Sequence, residues 1–238
     1  MNVDLAAFPF RTIVFDLDGT LIDSANDVGA AVNRVLADHG LAPIDVAEQR
    51  ALMGEGGRVR TRKAFALRGR LLDDAELSAR VRDFVRYYGE NPVDTTAPYP
   101  GVAETLRRLA AAGVRIGVCT NKYEDSARDV LARLGLMPPV EDVAGADSFD
   151  VRKPHPGHVL KLLARMGSDP GTALMVGDSI HDVEAAHAAG LQVIAVSWGY
   201  TMVPPRELGA DAVIDRFEDL IAAAAGLHRT PAGGTSLR

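Results

Sequence analysis

Residues 16–20 read DLDGT, two aspartates one residue apart followed by a glycine and a threonine, directly after the apolar run 12–15. Carboxylates this close repel, so a metal ion, a shared proton or a basic residue must compensate them. Alone, the segment is equally well read as turn chemistry, since Asp and Gly are ordinary turn residues. Three other segments carry complementary groups. GVCTNK at 117–122 ends a second apolar run in Thr120, Asn121 and Lys122. VRKPHP at 151–156 holds Lys153, and LMVGDSIHD at 174–182 puts Asp178 after a third run and Asp182 four residues later. Each has a bland alternative: a helix cap for Thr120, a solvated charge for Lys153, a turn for Asp178. Taken together, three carboxylates suit a hard cation held by oxygen, Mg²⁺ foremost. A hydroxyl and an ammonium beside them suit the oxygens of a phosphoryl group.

These segments need strands to hold them at one edge. Short apolar runs predict buried strands at 12–15, 114–119, 173–176, 192–196 and 212–214, with a weaker one at 140–144. Helical patterns lie between most of them, at 102–112, 125–134, 156–166 and 182–189, each closed by a glycine. The alternation implies an α/β fold, a doubly wound, Rossmann-like parallel sheet with helices on both faces. In such sheets ligands bind outside the carboxyl ends of the strands, where all four segments fall. From about 23 to 91 the alternation breaks and four helices are expected, at 25–39, 45–52, 57–68 and 74–88. Ser24 and Asp27 suggest a capping box for the first. GENPVDTTAPYPG, with three prolines, reads as the return linker. The expected organisation is therefore a core of residues 1–22 and 92–228, an all-helical cap of 23–91, and a flexible tail of 229–238.

Composition narrows the classes. With 238 residues, 47% of them hydrophobic, the chain can bury one large core or two modest ones. A formal charge of −6 lacks the basic footprint of a nucleic-acid binder. No apolar run is long enough to span a bilayer, and the first ten residues lack a secretory pattern, so a cytoplasmic protein without membrane contacts is expected. Cys119 is the one cysteine and reads as an apolar filler of a buried strand. There is no Cys/His set for zinc and no GxxxxGK[ST] loop. His155, His158, His181 and His187 are scattered; the pair His181/Asp182 and the spacing His155-x-x-His158 are weak metal signals that read as helix-surface or helix-start residues, and Trp198 and Tyr200 read as core or loop packing.

DLDGT, Thr120 after a strand, Lys153 in KPHP and GDSIHD at 177–182 resemble, in order and spacing, the four motifs of the haloacid dehalogenase-like hydrolases. The helical insert is similar to that superfamily's cap. DLDGTLIDSANDVGAAVN together with MGEGG most resembles the phosphoglycolate phosphatase subgroup. The resemblance implies an Mg²⁺-dependent phosphate monoester hydrolase working through an aspartyl-phosphate, with 2-phosphoglycolate or a similar small phosphorylated metabolite as substrate. It makes Asp16 the nucleophile and Asp18 the general acid and base. The metal falls to the Asp16 carboxylate, the Asp18 backbone carbonyl and the Asp178 carboxylate. Thr120 and Asn121 would bind phosphoryl oxygens, Lys153 would neutralise charge and orient Asp16, and Asp182 would stand behind them. Gly19 would let the backbone turn closely round the phosphate. The dehalogenases lack an aspartate at the position of Asp18, so its presence favours phosphate over halide.

In the insert, LMGEGGRVRTRKAF at 52–65 is the candidate specificity loop. Gly54, Gly56 and Gly57 could offer backbone amides, and at least one of Arg58, Arg62 and Lys63 is expected to meet a second anionic group. Arg58 and Arg62 lie one helical turn apart. Glu55 reads either as a residue that helps orient substrate or as a solvated loop glutamate. A sugar phosphomutase, a pyrophosphatase or a nucleotidase would use the same scaffold, as would a catalytically silent relative. A phospho-acceptor signalling domain shares the acidic cluster, but is shorter and lacks the insert. Monomer and homodimer are both compatible with the sequence.

Overall fold

The computed structural model describes Leu5 and residues 8–227; the expected tail, 229–238, lies outside them. Strand β1 (Thr12–Phe15) is buried along its whole length because strands flank both its edges and helices cover both its faces. The chain then forms β2 (Ile22–Asp23), α1 (Ala25–Ala37), α2 (Val46–Ala51), α3 (Gly57–Leu67), α4 (Asp74–Glu90) and β3 (Ala97–Pro98). Strand–helix alternation follows: α5 (Val102–Ala111), β4 (Arg115–Cys119), α6 (Glu124–Arg133), β5 (Asp142–Ala144), α7 (Gly157–Arg165), β6 (Ala173–Gly177), α8 (Ile180–Ala188), β7 (Gln192–Val196), β8 (Ala212–Ile214) and α9 (Leu220–Leu227). The expected elements are all present, most within two residues of their predicted ends.

Six strands pair in parallel in the order β5-β4-β1-β6-β7-β8. The chain leaves β1 for β4 and β5 on one side, then crosses back to β6 on the other. The carboxyl ends of β4, β1 and β6 thus meet at the switch point where open α/β sheets bind ligands. Register sets the level: Phe15 stands opposite both Val118 and Val176. Asp16, Thr120 and Asp178 therefore leave their strands at nearly the same height. Side chains alternate across the sheet. Ile13 and Phe15 join Ile116, Val118, Val176 and the side chains of α5 and α9 in one core. Val14 joins Met175, Val193 and those of α7 and α8 in the other.

The four-helix insert enters and leaves through a two-stranded antiparallel ribbon, β2 with β3, pairing Ile22 with Pro98 and Asp23 with Ala97. The sequence reading missed this ribbon: two residues per strand, two of them prolines or acids, leave no hydrophobic period to detect. The capping box expected at Ser24 and Asp27 does not form. Ser24 Oγ instead donates to Asp18 Oδ1 at 2.5 Å. Asp27 accepts the backbone N–H and hydroxyl of both Thr95 and Thr96 at 2.6–3.0 Å, stitching α1 to the return linker. Real capping boxes occur at Asp45/Glu48 and Asp73/Glu76.

Burial alone would favour the neutral acid, but the four donors hold the Asp27 carboxyl below its ordinary range. Asp27→Asn replaces an accepting oxygen with an N–H₂ donor facing N–H and hydroxyl donors and should cost about 1–3 kcal/mol. Because the folded pKa is depressed, the wild-type advantage is complete above roughly pH 4, the ordinary carboxylate value. It is lost as pH falls through the folded value. Urea midpoints of the two proteins, compared from pH 7 down to pH 3, should converge.

Candidate active site

Asp16 is the first residue after β1 and keeps its backbone in the sheet, donating its N–H to Val176 O at 2.9 Å. Its carboxylate turns inward to Lys153, which reaches it from the loop before α7: Nζ to Asp16 Oδ1 is 2.7 Å and to Asp182 Oδ1 is 2.6 Å. The Lys153 side chain is 2% exposed. Asp182, in the first turn of α8, spends its other oxygen on the N–H groups of Asp178 and Ser179 and the Ser179 hydroxyl. Asp178 is held at Oδ2 by the Tyr200 backbone N–H at 2.7 Å.

Oxygens of Asp16, Asp178 and Asp182 all lie within 4.8 Å of one another, and all three residues are buried. One lysine among three carboxylates leaves excess negative charge. Burial raises Asp16 to about 6 against the pull of Lys153, with Asp182 and Asp18 adding repulsion. Burial, then Asp16 and Asp182, likewise raise Asp178. Lys153 moves the other way: burial opposes its charge, but Asp16 and Asp182 outweigh that and raise it. Asp16 Oδ2 accepts no hydrogen bond among the described residues, and the only donor to Asp178 Oδ1 there is the Thr20 hydroxyl at 3.4 Å. Two under-used carboxylate oxygens beside a buried charge deficit fit a hard divalent cation. Asp182 is already saturated and stands behind them.

Asp18 belongs to a second ion pair. Lys122 Nζ lies 3.0 and 3.1 Å from its two oxygens, and Ser24 caps one of them. Burial opposes ionisation here too, yet Lys122, Ser24 and the nearby Arg60 hold Asp18 below the ordinary range. Lys122 in turn lies 4.4 Å from the centroid of the Tyr88 ring, a residue of the insert. Asp16 and Asp18 thus each have their own lysine, from different loops.

A cavity of about 230 Å³ opens on this pair, lined by Asp16, Asp18, Gly54, Gly56, Arg60, Thr120, Asn121 and Lys122. A recess of about 330 Å³ continues past Asp18, Arg60 and Lys122 to Phe84, Tyr88 and Tyr123. Asn121 donates to Gly54 O and Lys153 O, both at 3.2 Å, and its own Oδ1 is buried without a partner among the described residues. A Cβ on Gly56 would stand 2.8 Å from Asn121 O, so only glycine lets the insert loop come this close.

Asp16, Asp18, Thr120, Asn121, Lys153, Asp178 and Asp182 therefore meet at one edge, with Gly19 in the turn beside them. Arg58 and Arg62 do not. Both turn to the far side of α3 and pair with Asp74 at 3.0 and 3.3 Å. Lys63 pairs with Glu55. Arg60 takes the place expected of them. It is 6% exposed, with Nε on Leu52 O at 3.3 Å and its guanidinium 5.6 Å from the Phe84 ring centroid. A signal for this existed: Gly57, Thr61, Ala64 and Phe65 mark the buried face of α3, and Arg60 falls on it while Arg58 and Arg62 do not. His158, read as a helix-surface or helix-start residue, does begin α7 but is fully buried. Burial pushes the Cys119 thiol up to about 12, in keeping with a filler role.

A parallel sheet bearing paired aspartates, a bridging lysine and a strand-end threonine at its switch point defines a class. The haloacid dehalogenase-like hydrolase family matches residues 13–196, and the chain belongs to that family. It is 42% identical over 214 residues to a phosphoglycolate phosphatase of Rhodospirillum rubrum, covering 88% of this chain and 89% of that one. It is 40% identical over 227 residues to one of Caulobacter vibrioides, covering 95% and 96%. A crystal structure of a predicted phosphoglycolate phosphatase from Haemophilus somnus superposes with a TM-score of 0.85 at 32% identity, over 91% of this chain and 99% of that one. The chain is accordingly an enzyme of the phosphoric monoester hydrolase class. No helix among the described residues is long and apolar enough to cross a membrane.

Gly19 has φ +91°, and a Cβ there would lie 2.5 Å from Asp178 Oδ2 and 2.8 Å from Tyr200 Cδ2. Gly54 has a similar φ of +86° with nothing within 4 Å. Gly54→Ala should cost only the left-handed strain of about 1–2 kcal/mol. Gly19→Ala should cost clearly more and should displace Asp178. Thermal melts of the two variants measure the difference.

Proposed function

We propose that the chain hydrolyses a small phosphate monoester carrying a second negative group, 2-phosphoglycolate foremost, with Mg²⁺ and through a phosphorylated Asp16. The observation that carries this reading is Lys153 bridging Asp16 and Asp182 at the head of a cavity whose far wall holds two further cations, Arg60 and Lys122. A carboxylate oxygen of Asp16 attacks phosphorus while the ester P–O bond breaks. Asp18, held ionised by Lys122, Ser24 and Arg60 before substrate arrives, takes up a proton as the substrate's negative charge draws on those cations, and gives it to the departing alkoxide, so the leaving group is an alcohol. Asp18 then accepts a proton from the water that attacks the aspartyl-phosphate, and inorganic phosphate leaves. Thr120, Asn121 and Lys153 bind the phosphoryl oxygens as charge redistributes. The Asp16 and Asp178 carboxylates and the Asp18 carbonyl are the residues that would hold Mg²⁺, which when bound shields phosphate from the Asp16 charge.

Residues 23–91 act as a cap in this reading, and the β2–β3 ribbon supports that division. Arg60 comes from the cap and Lys122 from the sheet edge, so a substrate carboxylate between them closes the recess over the reacting group. Phe84 and Tyr88 line the far end of the recess, which suits a short substrate.

Phosphate release from 2-phosphoglycolate and from ethyl phosphate, with and without Mg²⁺, tests the reading. Turnover of 2-phosphoglycolate should require the metal and vanish in Asp16→Asn. Arg60→Met and Lys122→Met should each lower kcat/KM for 2-phosphoglycolate by ~10- to 100-fold, the worth of one charged hydrogen bond. Ethyl phosphate, which lacks the carboxylate, should lose less with Arg60→Met, and Arg58→Ala and Arg62→Ala should leave both substrates unchanged. Phosphate release no faster than that of Asp16→Asn would overturn the proposal.

A further inference from the structure

His158 has no part in the chemistry above, yet it is a fully buried histidine with both ring nitrogens engaged. Nδ1 accepts the backbone N–H of Lys153 at 3.1 Å. Nε2 lies 2.9 Å from the carbonyl oxygen of Gly145, in the loop after β5. A carbonyl can only accept, so Nε2 must carry the hydrogen and Nδ1 must be bare. The two contacts define a single tautomer of the neutral ring. Burial, with the Lys153 charge adding to it, pushes His158 down to about 4, which keeps the ring neutral at ordinary pH. Phe149 packs its edge against the ring, with centroids 6.0 Å apart and an interplanar angle of 83°.

The Lys153 backbone is gripped on its other side as well, where Asn121 Nδ2 donates to its carbonyl at 3.2 Å. Lys153 has four rotatable side-chain bonds, and its ammonium must stand between Asp16 and Asp182 at 2.7 and 2.6 Å. A flexible stem can hold its tip there only if its root is fixed. The loop that carries Lys153 belongs to no strand or helix, so the sheet does not fix it. His158 does, by tying that loop at one nitrogen to the first turn of α7 and at the other to the end of the neighbouring strand.

We infer that His158 is a positioning residue for the reaction: its neutral, Nε2-protonated ring anchors the Lys153 backbone against Gly145 and so sets the ammonium on the Asp16 carboxylate. This rests on the hydrolase reading for what Lys153 does, but not for where His158 holds it.

Two variants separate positioning from packing. His158→Phe keeps the ring and its contact with Phe149 but removes both polar contacts. His158→Asn removes the ring yet keeps a carbonyl oxygen one bond from Cγ, where Nδ1 stands, able to accept from Lys153 N–H. Misplacement by about 1 Å can cost about 10²-fold in rate. His158→Phe should therefore lose roughly 10- to 100-fold in kcat with KM changed less than about threefold, the range a misplaced catalytic group gives. His158→Asn should recover most of that kcat although its Tm is as low or lower. If kcat instead follows Tm through the pair, or neither variant changes kcat, the proposal is overturned. A second measurement needs no variant and no turnover. ¹⁵N–¹H correlation spectra of the ¹⁵N-histidine-labelled wild-type protein should show His158 as the Nε2–H tautomer at pH 7. An Nδ1–H or doubly protonated ring there would also overturn it. Wild-type protein with the expected tautomer but no phosphatase activity would sink the hydrolase reading and leave the anchor standing.

Discussion

Buried negative charge is the constraint around which the catalytic edge is built. Three aspartates with oxygens inside 4.8 Å of one another sit where water cannot screen them. Lys153 offsets part of that charge, and the rest appears as raised proton affinity at Asp16 and Asp178. Removing either partner from such an arrangement leaves an uncompensated ion, which costs far more than the pair itself contributes. This explains why so much of the surrounding structure serves to fix backbone. Asp182 caps the start of α8, Tyr200 holds Asp178 through its N–H, and His158 and Asn121 hold Lys153 from both sides. The site is a set of charges that would fly apart or neutralise without a rigid frame.

The frame was largely legible from the sequence, and for a physical reason. Fully buried parallel strands must be short apolar runs, so 12–15, 192–196 and 212–214 were readable to the residue. Polar residues at the end of such a run must lie at one edge of the sheet, which brings Asp16, Thr120 and Asp178 together. The β2–β3 ribbon had no such signature, because four residues stabilised by pairing with each other carry no periodicity. Ser24 and Asp27 looked like a cap because cap chemistry and tertiary chemistry use the same donors and acceptors. Tertiary partners 68 and 69 residues away in sequence claimed Asp27.

The insert was legible as helices but not as a surface. Spacing shows that Arg58 and Arg62 share a face of α3; it does not show which face meets the site. That depends on how α3 packs against α4, where Phe84 approaches Gly57 and Arg60, and on Asp74, which draws Arg58 and Arg62 outward. An arginine on the buried face looks like an error of amphipathicity when read alone. It becomes sensible once a carboxylate and an aromatic wall are placed opposite it. Lys122 was visible at the strand end but had no assigned partner, since nothing local links it to Asp18 104 residues earlier.

The two halves of the site are anchored differently, and this bears on how it can work. Asp16, Lys153, Asp178 and Asp182 all hang from the sheet edge and its loops. Arg60 and Tyr88 hang from the insert, joined to the rest through a ribbon of two residue pairs. Asn121, Lys122 and Tyr200 touch both. The Tyr200 hydroxyl accepts the N–H groups of Ser24 and Ala25 at 2.8 and 3.2 Å and donates to Asp23 at 2.7 Å, while its main chain holds Asp178. Lys122 belongs to the sheet edge but lies against Tyr88 of the insert, so the cation paired with Asp18 also touches the insert. On the proposed function, the residues that would meet the far end of a substrate and those at its phosphorus come from different parts of the chain, and they meet at the Lys122–Asp18 contact.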